Sequence, residues 1–331
     1  MRKVFWGSLL AALLLASCQK DKEKPADGKL VIAVIPKGTT HEFWKTVHAG
    51  AVKAAREFGV EVIWKGPLKE DDREAQIKVV EDFISRGVSG MVLAPLDDSA
   101  LRVPVTNAAR SGIPVVIIDS DLKSEDYTSF VATDNLKGGV MAGEKLAELV
   151  HDGGKVMMLR YSEGSASTMN REQGFLEAMS RHPGTLVVSS NRYGGVTTES
   201  AYQASENLLA QFKTGDGALS VNGIFCPNES STFGMLRALQ DGGYAGKVRF
   251  VGFDSSAKLV EALQNKEIDA LVLQNPMLMG YLGVKTMVMH LRGQEVPKRI
   301  DTGVTVVTRD NMDRPEIKEL LSPDLTKWLN E

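Results

Sequence analysis

The chain has 331 residues, 43% of them hydrophobic and 24% charged, with a net charge of only −3. That balance describes an ordinary globular protein, with no basic footprint for nucleic acid and no bulk field for anionic lipid. Two cysteines and five scattered histidines build neither a disulfide framework nor a Cys/His metal cluster, so no metal and no other cofactor is expected.

In chain order, Arg2 and Lys3 precede a short apolar run from Val4 to Ala16, which closes in Leu15-Ala16-Ser17-Cys18. A charged start, an apolar middle and small residues before a cleavage point are the layout of a secretory signal. The run falls short of the about 20 apolar residues that a membrane span needs. The Leu-Ala-Ser-Cys ending resembles a bacterial lipobox, whose cysteine thiol receives a diacylglycerol and becomes the first residue of the mature protein. This predicts a signal peptide over 1–17, lipidation of Cys18, and a chain held at a bacterial membrane outside the cytoplasm. Residues 18–28 are charged, contain Pro25 and lack apolar periodicity, which suits a tether between lipid and domain.

From Lys29 onward one unit repeats: a β-branched apolar run, a polar loop, then an amphipathic stretch. Leu30–Ile35 predicts a strand. Phe43, Val47, Ala51, Ala54 and Phe58 predict a helix over Phe43–Phe58, with Gly59 as its C-terminal cap. A strand at Val60–Trp64, a helix at Asp72–Arg86 closed by Gly87, and strands at Gly90–Ala94 and Pro114–Ile118 follow. A second series predicts strands at Lys155–Leu159, Thr185–Ser189, Val221–Cys226, Val248–Phe253 and Asp269–Leu273. Its helices fall around Met169–Ser180, Glu199–Gln211, Ser231–Gln240, Ala257–Gln264 and Met277–Leu291. Strands alternating with helices imply right-handed βαβ units and parallel sheets. About ten strands are too many for one tidy sheet of this length, so an α/β fold with two similar doubly wound parallel sheets is expected. The break between them falls near Val131–Asp134. Cys226 sits in an apolar run and is expected to be buried.

Ligands of open α/β sheets bind outside the carboxyl ends of the strands. Those positions hold Pro36 to Trp44 after the first strand, Asp97-Asp98 after the third and Asp119-Ser120-Asp121 after the fourth. In the second half they hold Arg160-Tyr161, Asn228-Glu229, Asp254-Ser255 and Gln274-Asn275. Carboxylates and amides satisfy hydroxyl groups, and Phe43 and Trp44 can stack on the C–H face of a ring, so the set suits a polyhydroxylated small molecule. Taken singly, each residue has a structural alternative. Asp254 and Asn228 could cap helices, Asp119 and Asp121 could form turns, and Phe43 and Trp44 could simply pack. His41 could be a plain loop histidine and Lys37 a solvated charge. Their joint placement on one edge is what packing does not require. No G-x-G-x-x-G follows the first strand, and G-x-x-x-x-G-K-[ST], H-E-x-x-H and G-x-S-x-G are absent, so no enzyme signature is present. Gly164-Ser165-Ala166-Ser167 is Gly/Ser-rich but lacks a nearby basic partner for a phosphate, and reads as a loop.

At these residues the chain resembles periplasmic sugar-binding proteins of the ribose/galactose-binding type, the ligand-capture components of ABC importers. The motifs that carry the resemblance are Phe43-Trp44, Val131-Ala132-Thr133-Asp134-Asn135 with Gly138-Gly139, Asn228 at its strand end, and Val251-Gly252-Phe253-Asp254. The resemblance implies that Phe43 and Trp44 sandwich a sugar ring and that Asp119 binds its hydroxyls. Asn228, Asp254 and Gln274 would be ligands from a second lobe, with Tyr193 near a position that is aromatic in the family. Ser120 and Met169 stand where two binding arginines are usual, although Arg171 is close by, and His41 stands where an asparagine is expected. Ile35-Pro36-Lys37 and Asp119-Ser120-Asp121 are similar to the branch that includes autoinducer-2- and rhamnose-binding proteins, so Lys37, His41 and Asp121 join the candidates.

The implied fold is the periplasmic binding protein type I arrangement. An N-terminal lobe of 29–132 plus 275–303 and a C-terminal lobe of 133–274 plus 304–331 would be joined by a three-strand hinge near Thr133, Gln274 and Asp301–Val304. Ligand would be captured by hinge closure. The implied partners are a sugar-like ligand, an ABC permease and, through Cys18, a membrane, with no nucleic acid; the protein would be a monomer and not an enzyme. A receptor feeding a sensor kinase or chemoreceptor, or a secreted enzyme on the same fold, are the alternatives.

Overall fold

The computed structural model describes residues 28–151 and 153–329. The expected signal peptide, Cys18 and all of the tether but Gly28 lie outside the described residues. The β-branched runs become two six-stranded sheets. The first has the order β11 (Arg299–Asp301), β5 (Ser129–Ala132), β4 (Val115–Ile118), β3 (Gly90–Leu93), β1 (Val31–Ile35) and β2 (Glu61–Trp64), with every neighbour parallel. The second has the order β12 (Thr305–Val307), β10 (Ala270–Leu273), β9 (Arg249–Phe253), β8 (Gly223–Phe225), β6 (Lys155–Arg160) and β7 (Leu186–Tyr193).

Continuous apolar strands imply sheets covered on both faces, because successive side chains point to opposite sides. In β1, Ile32 and Val34 join the cluster of Phe43, Trp44 and Val47, whereas Ala33 and Ile35 join that of Val80 and Phe83. The covering helices are α1 (Glu42–Phe58), α2 (Arg73–Arg86), α3 (Arg102–Arg110) and α9 (Pro276–Leu291) on the first sheet. Those of the second are α4 (Asn135–Val150), α5 (Ala166–Ser180), α6 (Thr198–Ala210), α7 (Glu229–Asp241) and α8 (Ala257–Gln264), and α10 (Pro315–Leu321) follows late in the chain. Cys226 is free and buried, as its apolar run implies, and burial pushes its thiol well above the usual range.

One strand departs from the all-parallel expectation: β12 runs antiparallel to β10. The chain enters it straight from β11 over the short link 302–304, with no helix to carry it back to the far end of the sheet. Helices α3 and α4 escape the periodicity reading for local reasons. The first is short and contains Pro104, and the second carries Gly138, Gly139 and Gly143. The glycines of α4 have a packing purpose. A methyl group at Gly139 would collide with the backbone of Arg171 on α5, so its absence lets the two helices touch.

The chain passes between the sheets at three places, 133–134, 274–275 and 302–304. Consequently α4, which follows β5 of the first sheet, packs on β8, β9 and β10, while α9, which follows β10 of the second, packs on β3 and β4. This exchange turns the carboxyl ends of both sets of strands toward one another, and the loops after them form the walls of a cleft.

Candidate functional site

Each wall is built around an aspartate at the same place in its sheet. Asp119 follows β4 and Asp254 follows β9, each the third strand from the edge where the chain crosses over. Both have left-handed backbones, with φ of 62° and 68°. Few residues other than glycine adopt that conformation, and aspartate is among the more tolerant. Unusual backbone at two matching strand ends is the kind of local strain found at ligand sites.

Asp119 pairs with Lys37 at 2.9 Å, and the ammonium group also donates to Ser165 Oγ at 3.2 Å and Ser167 Oγ at 2.9 Å on the opposite wall. Asp254 accepts from Gln274 Nε2 at 2.7 Å and from the Glu229 backbone N–H at 3.1 Å, with Arg171 Nη1 at 3.8 Å. Burial pushes the Asp254 carboxyl up, while Arg171 and Gln274 oppose the shift. Asn135, from the motif after β5, ties the two halves. Its Nδ2 donates to the Asp119 carbonyl at 3.1 Å, and its Oδ1 accepts from Arg171 Nε at 2.8 Å.

Phe43 and Trp44 lie in the first turn of α1, edge to face with centroids 4.9 Å apart. The indole Nε1 donates to Glu70 Oε1 at 2.7 Å, and His41 Nδ1 meets the same oxygen at 2.7 Å. Tyr161, from the other wall, donates its hydroxyl to Glu70 Oε2 at 2.6 Å. Burial works against the charge on His41, but the Glu70 carboxylate overrides it and lifts the imidazole to about 9. Burial likewise opposes ionisation of Glu70, and His41, Lys37 and Tyr161 together hold it down at about 2. A second contact between the walls joins two helix ends. Glu229 opens α7, and its carboxylate accepts from the backbone N–H groups of Glu42 at 3.4 Å and Phe43 at 3.2 Å. That end of α1 has no side-chain cap of its own, and a carboxylate there meets the positive end of the helix dipole. Burial pushes Glu229 up to about 7 against the pull of His41.

The space left among these groups is about 30 Å³. That is room for no more than a few water molecules, so a sugar-sized ligand can enter only when the walls separate. Two buried side-chain atoms in the lining have no hydrogen-bond partner, Arg171 Nη2 and Gln274 Oε1. One is a donor and the other an acceptor, the two roles that a hydroxyl group fills at once. The rest of the Arg171 guanidinium is held by Asn135, by the Pro227 carbonyl at 2.9 Å and by the Phe253 ring face 4.1 Å away.

Lys37, His41, Phe43, Trp44, Asp119, Asn228, Asp254 and Gln274 thus line one cavity. Asn228 also caps α7, accepting from the Ser231 N–H at 3.2 Å, so its helix-cap role and its place in the wall coexist. Asp121 does not join them: two residues past Asp119 the chain has turned away, and its carboxylate pairs with Arg299 at 3.2 Å. Tyr193 does not join them either. It ends β7, the strand farthest from the crossover edge, is 42% exposed, and its hydroxyl reaches Glu163 at 3.4 Å.

The Gly164–Ser167 stretch is not a plain loop without a cation. Ser165 is the N-cap of α5, Ser167 lies in its first turn, and Lys37 of the opposite wall binds both hydroxyls. Met169 is 38% exposed, and Ser120 Oγ accepts from the Ser167 N–H at 3.0 Å, so neither stands in for an arginine side chain. Glu70 carries no motif; it lies in the charged run Lys69–Asp72 of the loop after β2, well past the strand end.

The sequence pattern of the periplasmic binding protein domain matches residues 32–295. The chain belongs to that family. Among periplasmic binding proteins, the ribose import binding protein of Bacillus subtilis is 26% identical over 308 residues, covering 91% of this chain and 96% of its own. That of Haemophilus influenzae is 29% identical over 301 residues, covering 91% and 98%. Two solved structures are similar throughout. A carbohydrate transporter solute-binding protein from Agrobacterium radiobacter, in complex with D-arabinose, is 32% identical with a TM-score of 0.84, covering 89% of this chain and 99% of that one. An ABC transporter solute-binding protein from Agrobacterium vitis with bound D-fucose is 34% identical with a TM-score of 0.83, covering 88% and 100%. Among the described residues of this family member, no cluster of His, Cys, Asp or Glu could hold a metal ion, and no helix is long and apolar enough to cross a membrane.

Proposed function

We propose that this periplasmic binding protein captures one uncharged sugar of pentose or hexose size between its lobes and presents it to an ABC permease. The observation that carries the reading is the unpartnered pair Arg171 Nη2 and Gln274 Oε1, beside Asp254 and in the same cavity as Phe43 and Trp44. Sugar hydroxyls both donate and accept and so suit these two atoms, and the ring carbons offer a C–H face to the aromatics. Charge favours a neutral ligand. Lys37 is matched by Asp119, His41 by Glu70 and Arg171 by Asp254, so among the described residues that line the cavity no cation is left to meet a carboxylate or phosphate. The sugars carried by similar proteins, ribose, D-arabinose and D-fucose, are all uncharged.

The two lobes divide at about residues 132, 274 and 303, and the three crossings act as the hinge. Ligand contacts made by both walls exist only in the closed form, so binding shifts the population toward closure. Cys18 is the lipid anchor of a monomeric chain, and the bound sugar leaves unchanged, without turnover. A thermal-shift panel of D-ribose, D-allose, D-arabinose and D-fucose, with D-glucuronate and ribose 5-phosphate as charged controls, tests the reading. A specific ligand raises the melting temperature by mass action. At least one neutral sugar should do so and neither control should; a flat panel, or a control as the best binder, would overturn it. Labelling with a radioactive fatty acid, lost in Cys18→Ala, checks the anchor.

A further inference from the structure

Glu70 lies outside every motif described above, yet three donors converge on its buried carboxylate. Trp44 Nε1 and His41 Nδ1, both from the start of α1, share Oε1 at 2.7 Å each. The Tyr161 hydroxyl takes Oε2 at 2.6 Å from the opposite lobe. Hydrogen bonds to an ionised acceptor are shorter and roughly twice as strong as neutral ones. Both oxygens are therefore in use, one within a lobe and one across the cleft.

We propose that Glu70 is a positioning residue that couples the ring-stacking wall to lobe closure. It fixes the Trp44 indole and the His41 imidazole on one side and locks the closed cleft through Tyr161 on the other. A sugar that stacks on Trp44 thereby stabilises the same carboxylate that holds the lobes together. The inference rests on the sugar-binding reading for its ligand, but its core is the carboxylate and its three donors. The charged and titratable groups that face the network are Lys37, Asp119 and Asp71 from its own lobe, with Glu229 and Asp254 from the other. They are common to all the variants below.

Three conservative substitutions separate the parts. Glu70→Gln keeps the shape and removes the charge, Trp44→Phe keeps a ring and removes the indole N–H, and Tyr161→Phe removes only the hydroxyl. In the ligand-free protein, nuclear magnetic resonance of labelled histidine should show His41 titrating near 9. In Glu70→Gln that titration should fall by about 2 pH units or more, because burial then opposes the charge on the ring with only Glu229 and Asp254 left to favour it. Small-angle scattering should show Tyr161→Phe and Glu70→Gln more open than the wild type, while all melt cooperatively. With the tightest binder among D-ribose, D-allose, D-arabinose and D-fucose, Tyr161→Phe should weaken affinity about tenfold, chiefly through faster dissociation. Trp44→Phe and Tyr161→Phe should be non-additive, since the two donors bind opposite oxygens of one carboxylate.

An unmoved His41 titration in Glu70→Gln would overturn the proposal, as would additive effects in the double variant. If none of the four sugars binds, the sugar reading fails instead, and the titration and scattering of the ligand-free variants still decide the role of Glu70.

Discussion

Asp119 and Asp254 hold matching places in the two lobes and share a left-handed backbone, but their surroundings differ. The first lobe answers Asp119 with the full charge of Lys37, and it answers Glu70 with His41, so its wall is complete without a ligand. The second lobe gives Asp254 an amide, a backbone N–H and a more distant guanidinium, and it leaves Arg171 Nη2 and Gln274 Oε1 without partners. Two walls built on one plan thus take different tasks. The first offers a rigid face for stacking, and the second offers the hydrogen bonds that a ligand must supply.

The sharpest way to break that contrast is Asp254→Ala. It frees the Gln274 amide and leaves the Arg171 guanidinium buried with weaker compensation, so sugar affinity measured by titration calorimetry should fall about a hundredfold or more. Trp44→Ala removes the stacking face and the donor to Glu70, and should cost at least about tenfold without unfolding the protein. Unchanged affinity in both would sink the assignment of the two walls. Gly139→Ala acts at a distance by pushing α5, and with it Arg171, away from α4. It should lower both the melting temperature and, several-fold at most, the affinity.

The completeness of the first wall also has a pH signature. The His41 pKa is raised in the folded state from 6.5 to about 9, so the pair with Glu70 stabilises the fold fully below about 6.5 and that contribution fades as pH climbs through 9. Glu70 is shifted the other way, from 4.5 to about 2, so its share is present above 4.5 and lost as pH falls toward 2. The melting temperature of the wild type should therefore drop more steeply between pH 8 and 10 than that of Glu70→Gln, as scanning calorimetry would register; parallel curves would argue against the pair. Smallest of all should be the effects of Asp121→Ala and Tyr193→Phe. Both lie outside the cleft and should leave affinity within about twofold.

The same contrast explains which features were legible in the sequence. Strands covered on both faces write themselves as unbroken apolar runs, so β1, β4 and β10 fall where those runs are. Helix α4 was hidden because the glycines that let it touch α5 also interrupt its apolar stripe. The direction of β12 depends on the short link from β11 and leaves no trace in its own three residues. In the site, side chains directly at strand ends were readable from order alone. Asp121 lay one turn too far along, and Tyr193 ended a strand at the wrong edge of its sheet. Glu70 was obscured by its neighbours, since Lys69-Glu70-Asp71-Asp72 looks like a solvated charged run until the fold buries one of its carboxylates.

A crystal structure of the mature protein with the tightest-binding neutral sugar tests the account most directly. Hydroxyl groups of the sugar should lie within about 3.2 Å of Arg171 Nη2 and of Gln274 Oε1, with the ring against Trp44 or Phe43 and the Glu70–Tyr161 contact intact. A sugar held elsewhere, or one that leaves those two atoms without a partner, would contradict it.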